Sequence, residues 1–106
     1  MANFTLDELA KIINARATES AERSYTRKLL DAGIEKCVKK LGEEATETVI
    51  AATAGTKEQV IAESGDLLYH LLVVLKARGV ELSEVYAELE RRTAQSGLEE
   101  KASRNK

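Results

Sequence analysis

The sequence predicts an all-α protein, a bundle of about five helices, and three observations carry that prediction. Pro is absent, and aromatic residues are 4% of the 106 residues. Charged residues are 32%, and the strong helix formers Ala, Leu, Glu, Lys and Arg are abundant. Apolar residues recur at helical spacing between capping signals and glycines along most of the chain.

Thr5 followed by Glu8 reads as a capping box. It opens a first helix whose apolar face is Leu6, Leu9, Ile13 and Ala17. The polar stretch Thr18 to Arg23 reads as a loop. Ser24 caps a short second helix through Leu30, which Gly33 ends. A third helix spans about Ile34 to Ala54, with the stripe Ile34, Cys37, Val38, Leu41, Ala45, Thr48, Val49 and Ala52. Gly42 inside it costs about 1 kcal/mol relative to Ala, which the stripe must outweigh. Gly55 ends this helix, and Thr56 with Gln59 forms a second capping box. The fourth helix then runs to about Arg78 and closes at Gly79. Ser83 is the expected cap of a fifth helix, with Val85, Tyr86 and Leu89 facing inward. Residues 1–94 form one domain in this reading, and 95–106 a polar, basic tail, either mobile or folded over a partner.

The bulk properties exclude several classes. A net charge of -2 points to neither nucleic acid nor an acidic membrane surface. The longest apolar run is too short and too interrupted to span a bilayer. The N-terminus has no basic region followed by an apolar stretch, so no signal peptide is expected. The one cysteine, Cys37, has no internal disulfide partner and fits a reducing cytoplasm. The run Leu67 to Leu75 is apolar nearly all round, and a chain this short cannot surround such a helix. A homodimer is therefore expected, with the fourth helix at or near its interface.

Two carboxylate groups stand out, Glu43-Glu44-Ala45-Thr46-Glu47 and Glu63-Ser64-Gly65-Asp66. Positions three or four apart share a helix face. Glu44 and Glu47 thus share an edge of the third helix, beside its core stripe and together with Lys36 and Lys40. On the fourth helix Glu63, Asp66 and His70 form one row, with Gln59 a turn earlier. The short Gly-Thr connection makes the two helices antiparallel, which can bring the acidic edges together into a nest of Glu44, Glu47, Glu63 and Asp66. An all-oxygen donor set favours Mg²⁺ or Mn²⁺ over zinc, and Mg²⁺ is commonly shared with substrate phosphates. Each feature also has a plain reading. Acidic pairs on helices are usually solvated, with partners such as Lys40 for Glu44, worth a few tenths of a kcal/mol. His70 reads either as a substrate contact or as a hydrogen-bonded core histidine, Tyr25 as packing, and Cys37 as a small core residue. Only the two acidic pairs on adjacent helices raise a metal site above these readings.

The pattern Glu-Glu-x-x-Glu followed by Glu-x-x-Asp resembles the MazG-like all-α nucleoside triphosphate pyrophosphatase superfamily. Within it the chain is similar to the phosphoribosyl-ATP pyrophosphohydrolases of histidine biosynthesis over nearly its whole length. The acidic motif marks only the superfamily. Narrower markers are Ser24-Tyr25-Thr26 with Leu29, the segment from Lys39 to Ala45, Asp66-Leu67-Leu68-Tyr69-His70, and the tail Ser96 to Arg104. The resemblance implies Mg²⁺-dependent hydrolysis of phosphoribosyl-ATP to phosphoribosyl-AMP and pyrophosphate by a helical dimer. It implies Glu44, Glu47, Glu63 and Asp66 as metal ligands. Glu43 matches the first glutamate of the motif and stands as the catalytic candidate, orienting water or pairing with a lysine. Lys40 is the best-matched phosphate contact, followed by Lys36, Arg16 and Arg92, with His70 beside the substrate. Relatives commonly carry a Pro before the Ser-Tyr-Thr segment, and Ala17 to Arg23 has none, which bears on loop rigidity. The length leaves no room for a fused cyclohydrolase, so the stand-alone form is expected. Two rivals stand beside this reading, a house-cleaning nucleotide pyrophosphatase and a non-catalytic helical interaction module.

Overall fold

The computed structural model describes residues 3–94, together with Lys101 and Arg104. The expected tail, 95–106, falls almost entirely outside these residues. Five helices appear among the described residues, and no strand: α1 (Leu6–Arg16), α2 (Tyr25–Ala32), α3 (Ile34–Ala54), α4 (Lys57–Ala77) and α5 (Leu82–Thr93). Local chemistry sets their ends. Thr5 Oγ1 accepts from the Glu8 N–H, but the Glu8 carboxylate turns to Lys11, so only half of the expected box forms. Ser24 Oγ accepts from the Arg27 N–H and donates to the Arg16 carbonyl at 2.9 Å, which joins the end of α1 to the start of α2. Thr56 and Gln59 make the complete reciprocal box at α4. The fifth helix departs from expectation. Its cap is Glu81, not Ser83, and the Glu84 carboxylate accepts from the Glu81 N–H at 2.8 Å. A serine cap is only one solution, because a glutamate at the third helical position also satisfies an orphan donor.

The backbone of the fold is the antiparallel hairpin of α3 and α4, each 21 residues long, which is its most extensive helix pair. Gly55 turns it, and a side chain there would meet the Ala51 carbonyl at 2.9 Å and Gln59 Oε1 at 2.6 Å. Small residues at this end therefore let the helices start close together. α1 and α2 lie across one end of the hairpin and close a small core of Ile13, Leu29, Cys37, Leu72 and Val73. Cys37 is buried and its thiol donates to the Leu29 carbonyl at 3.3 Å. Burial pushes this thiol up, as suits a core residue rather than a nucleophile. α5 packs only lightly. Leu82 reaches the core and Val85 is half-buried, while Tyr86 and Leu89, expected inward, stay exposed.

The stripe expected on α3 is only partly its buried face. Cys37 is buried, but Val38, Val49 and Ala52 are exposed. The face turned to α4 is Cys37, Leu41, Glu44, Thr48 and Ala51, spaced alternately four and three apart like a coiled-coil seam. Opposite runs Gln59, Glu63, Asp66, His70 and Val73 with the same alternation. α4 approaches from the carboxylate edge of α3, so the more apolar edge is left uncovered within the chain.

α2 and α3 are separated by Gly33 alone, with φ 97° and ψ 168°. That combination is essentially open only to glycine, and a Cβ there would meet nothing within 4 Å, so the demand is conformational and not steric. Gly33→Ala is expected to destabilise the protein by about 1–3 kcal/mol. Urea unfolding followed by circular dichroism will measure this.

Candidate metal centre

The hairpin geometry decides which carboxylates meet. Glu47 and Glu63 are equidistant in sequence from the Gly55 turn, and so are Glu44 and Asp66. Antiparallel packing about Gly55 therefore sets Glu47 opposite Glu63 and Glu44 opposite Asp66. One oxygen each of Glu44, Glu63 and Asp66 lie within 4.8 Å of one another. Glu47 stands near enough to raise the proton affinity of both Glu63 and Glu44. Three of the four expected ligands are thus brought into one cluster, and Glu47 lies outside it as a neighbouring charge.

Electrostatics show how unusual this is. Glu44 is only 8% exposed, on a helix face that otherwise carries core residues. Its Oε2 and the Oε2 of Glu63 are buried without a hydrogen-bond partner. Burial, then the neighbouring charges of Glu47 and Asp66, holds the Glu44 carboxyl above the usual carboxylate range. Glu63 is raised mainly by the hydrogen bond with Glu47, and further by burial and the surrounding charges. Among the described residues the ion pair to this group comes from Lys40, whose Nζ lies 3.3 Å from Glu43 and 3.9 Å from Glu44. One ammonium does not balance this many carboxylates. Orphaned, hard oxygen donors pointing at one another fit a divalent cation of the Mg²⁺ or Mn²⁺ type.

A polar frame holds the donors. Thr48, expected only as part of the core stripe, places its hydroxyl 2.8 Å from the Glu44 carbonyl and 3.1 Å from the Glu63 carbonyl, linking α3 to α4 at the level of the acids. His70 is 7% exposed. A carbonyl can only accept, so the 2.8 Å bond to the Asp66 carbonyl puts the proton on Nδ1, and Nε2 is left buried without a partner. The ring is buried, and it braces the turn that carries Asp66. Tyr69 packs edge-on against His70, and its hydroxyl bonds Thr26 on α2. Tyr25 stacks near Tyr69 and stays 51% exposed. The Ser-Tyr-Thr segment therefore acts as a joint between α1, α2 and α4.

The other sequence candidates are spread more widely. Glu43 is half-exposed on the rim and held by Lys40. Lys36 and Lys40 line a pocket between α2 and α3. Arg16 pairs with Glu19 at 3.7 Å, and Arg92 with Glu88 at 3.3 Å on its own helix. Neither forms an ion pair with the clustered carboxylates. Both are long, exposed side chains that find their nearest acid along the chain.

An all-α hairpin with carboxylates gathered across its seam is an arrangement of the MazG-like all-α class. Comparison with known proteins narrows the class. The profile of the family "Phosphoribosyl-ATP pyrophosphohydrolase" matches residues 6–93. Phosphoribosyl-ATP pyrophosphatase 1 of Bradyrhizobium diazoefficiens is 62% identical over 104 residues, covering 98% of each chain. The phosphoribosyl-ATP pyrophosphatase of Azorhizobium caulinodans is 62% identical over 102 residues, 96% of this chain and 94% of its own. That of Rhizobium rhizogenes is 55% identical over 104 residues, 98% of this chain and 100% of its own. The chain belongs to the phosphoribosyl-ATP pyrophosphohydrolase family, enzymes of histidine biosynthesis that hydrolyse a phosphoric anhydride.

Two outcomes follow from the site. A carboxylate held above its ordinary value in the fold binds its proton more tightly there than in the unfolded chain. Raising the pH from the ordinary value near 4.5 through the raised folded values therefore removes stability from the metal-free protein. Thermal melts in a chelator should show the melting temperature falling over that window relative to Glu63→Gln. Mg²⁺ at neutral pH should restore it in the wild type only. Thr48→Val keeps the volume and removes the cross-link, and it is expected to weaken Mg²⁺ binding about tenfold, measured by calorimetry.

Proposed function

We propose that this chain is a cytoplasmic, Mg²⁺-dependent enzyme that hydrolyses phosphoribosyl-ATP to phosphoribosyl-AMP and pyrophosphate and works as a homodimer. One observation carries the reading, namely three carboxylates from facing helices with one oxygen each within 4.8 Å of the others, two of the residues, Glu44 and Glu63, each also having a buried oxygen without a hydrogen-bond partner. Membership of the family supplies the substrate class. Glu44, Glu63 and Asp66 would hold the ion, with Glu47 completing the set from the open side. When bound, Mg²⁺ neutralises anhydride oxygens and makes water a better nucleophile.

The chain's own groups do the rest. Thr48 and His70 fix the helix turns that carry the acids. Lys40 reaches from the rim towards Glu44 and offers a positive charge where phosphate oxygens arrive. Glu43 holds Lys40 from the solvent side, which favours pairing with lysine over orienting water. Beside Glu47 and Glu63, an open cleft of about 310 Å³, lined also by Ile50, Ala51 and Gln59, leaves room for a nucleotide.

The dimer reading rests on uncovered apolar side chains along the hairpin. Val49 on α3 and Ile61 on α4 are 64% and 62% exposed, and Val38, Leu68 and Leu71 are exposed on the same two helices. Such a surface on both long helices suits a second copy of the same hairpin.

Incubation with phosphoribosyl-ATP and Mg²⁺, following pyrophosphate directly, is expected to show turnover that a panel of ordinary and modified nucleoside triphosphates does not match. Preference for another nucleotide would overturn the substrate assignment. Asp66→Asn and Glu63→Gln should each fold normally and lose on the order of 10³-fold in rate, the equivalent of about 4 kcal/mol of charge stabilisation. Sedimentation should give twice the monomer mass, and Val49→Glu with Ile61→Glu should yield a monomer.

A further inference from the structure

Lys28 is absent from the expected site, yet it completes a cluster. Between α2 and α3 lies a pocket of about 260 Å³ lined by Tyr25, Lys28, Leu29, Ala32, Lys36 and Lys40. Leu29 is buried and forms an apolar floor. Three lysines line this one small concavity, and like charges gathered there repel each other. Lys40 is partly balanced by Glu43 and Glu44. Lys28 and Lys36 form no ion pair among the described residues. A concavity with two unbalanced cations and a third beside the metal ligands is suited to a polyanion.

Its position says which part of a polyanion. Lys40 stands at the junction, 3.9 Å from Glu44. Lys36 is one turn further along α3, about 6 Å by the helix rise, and Lys28 faces it from α2. A chain of phosphates with its reacting bond at the carboxylates therefore meets Lys40 first and then the Lys36–Lys28 pair. Building on the hydrolysis proposed above, we infer that the α2–α3 pocket receives the pyrophosphate leaving group, with Lys28, Lys36 and Lys40 as its charge partners. Negative charge grows on that group as the anhydride bond breaks, so fixed cations there stabilise the transition state more than the ground state. Lysine suits this role as a mobile point charge that also lets the product go. The substrate's other phosphate, the monoester on its phosphoribosyl arm, carries less charge and has no need to lie beside the metal ligands.

The test is calorimetric titration of inorganic pyrophosphate with Mg²⁺ into the wild type, Lys28→Gln and Lys36→Gln, with ribose 5-phosphate as a second arm. Each variant is expected to bind pyrophosphate about tenfold more weakly and ribose 5-phosphate within twofold of the wild type. Lys28→Arg, which keeps the charge, should restore pyrophosphate binding, and unchanged melting temperatures will show that the fold is intact. Pyrophosphate affinity that is unchanged in both glutamine variants overturns the assignment. So does a loss confined to ribose 5-phosphate, which would give the pocket to the phosphoribosyl arm. Turnover of phosphoribosyl-ATP by the wild type is measured alongside, so that normal turnover with unaltered pyrophosphate affinity in Lys28→Gln removes the pocket and leaves the activity standing.

Discussion

Everything in this fold is arranged around a repulsion. Three carboxylates from α3 and α4 converge in a seam, with Glu47 beside them, and the seam's two ends are packed in the ordinary way, Ala51 and Gly55 at one end and Cys37 and Val73 at the other. Packing pulls the helices together while the acids push them apart. Raised proton affinity at Glu44 and Glu63 is the direct trace of that conflict. A hairpin that places charge where a coiled coil places leucine gives up stability to gather carboxylates in its seam.

The surroundings oppose the repulsion without removing it. Thr48 ties the two backbones at the height of the acids, and His70 braces the turn bearing Asp66. Tyr69 and Thr26 link that turn to α2, and Ser24 links α2 to α1. The short helices thus act as a clamp on one end of the hairpin. They also set a second charge pattern beside the first. Because Gly33 folds α2 sharply back onto α3, lysines from both helices come to line one wall next to the acidic seam. An acidic seam and a lysine-lined wall thus lie on either side of Glu44 and Lys40.

Much of the architecture is legible without coordinates. Helix starts at Ser24 and Thr56 and stops at Gly33 and Gly55 are local events, decided by one side chain or one glycine, and they stand where the pattern puts them. Ser83 misleads because Glu81 and Glu84 supply an equally good local cap. The α3 face misleads for a different reason. Counting apolar residues puts Val38 and Val49 in the core and the acids beside it, whereas the chain buries Glu44 and exposes the valines. Hydrophobic periodicity assumes that the most apolar edge is covered within the chain. That assumption fails where function places charge in the seam.

The sequence by itself determined five helices, an antiparallel hairpin turned at Gly55, and the acids Glu44, Glu63 and Asp66 that meet across it. It could do so because helical spacing and a short turn are local rules, and symmetry about the turn fixes which residues face each other. Only the tertiary structure decided the rotation of α3, the withdrawal of His70 into the interior, the cross-link at Thr48 and the inclusion of Lys28 in a basic pocket. Each of these depends on how one helix lies against another that is remote in the chain, and that is set by the summed packing of many side chains and not by any motif.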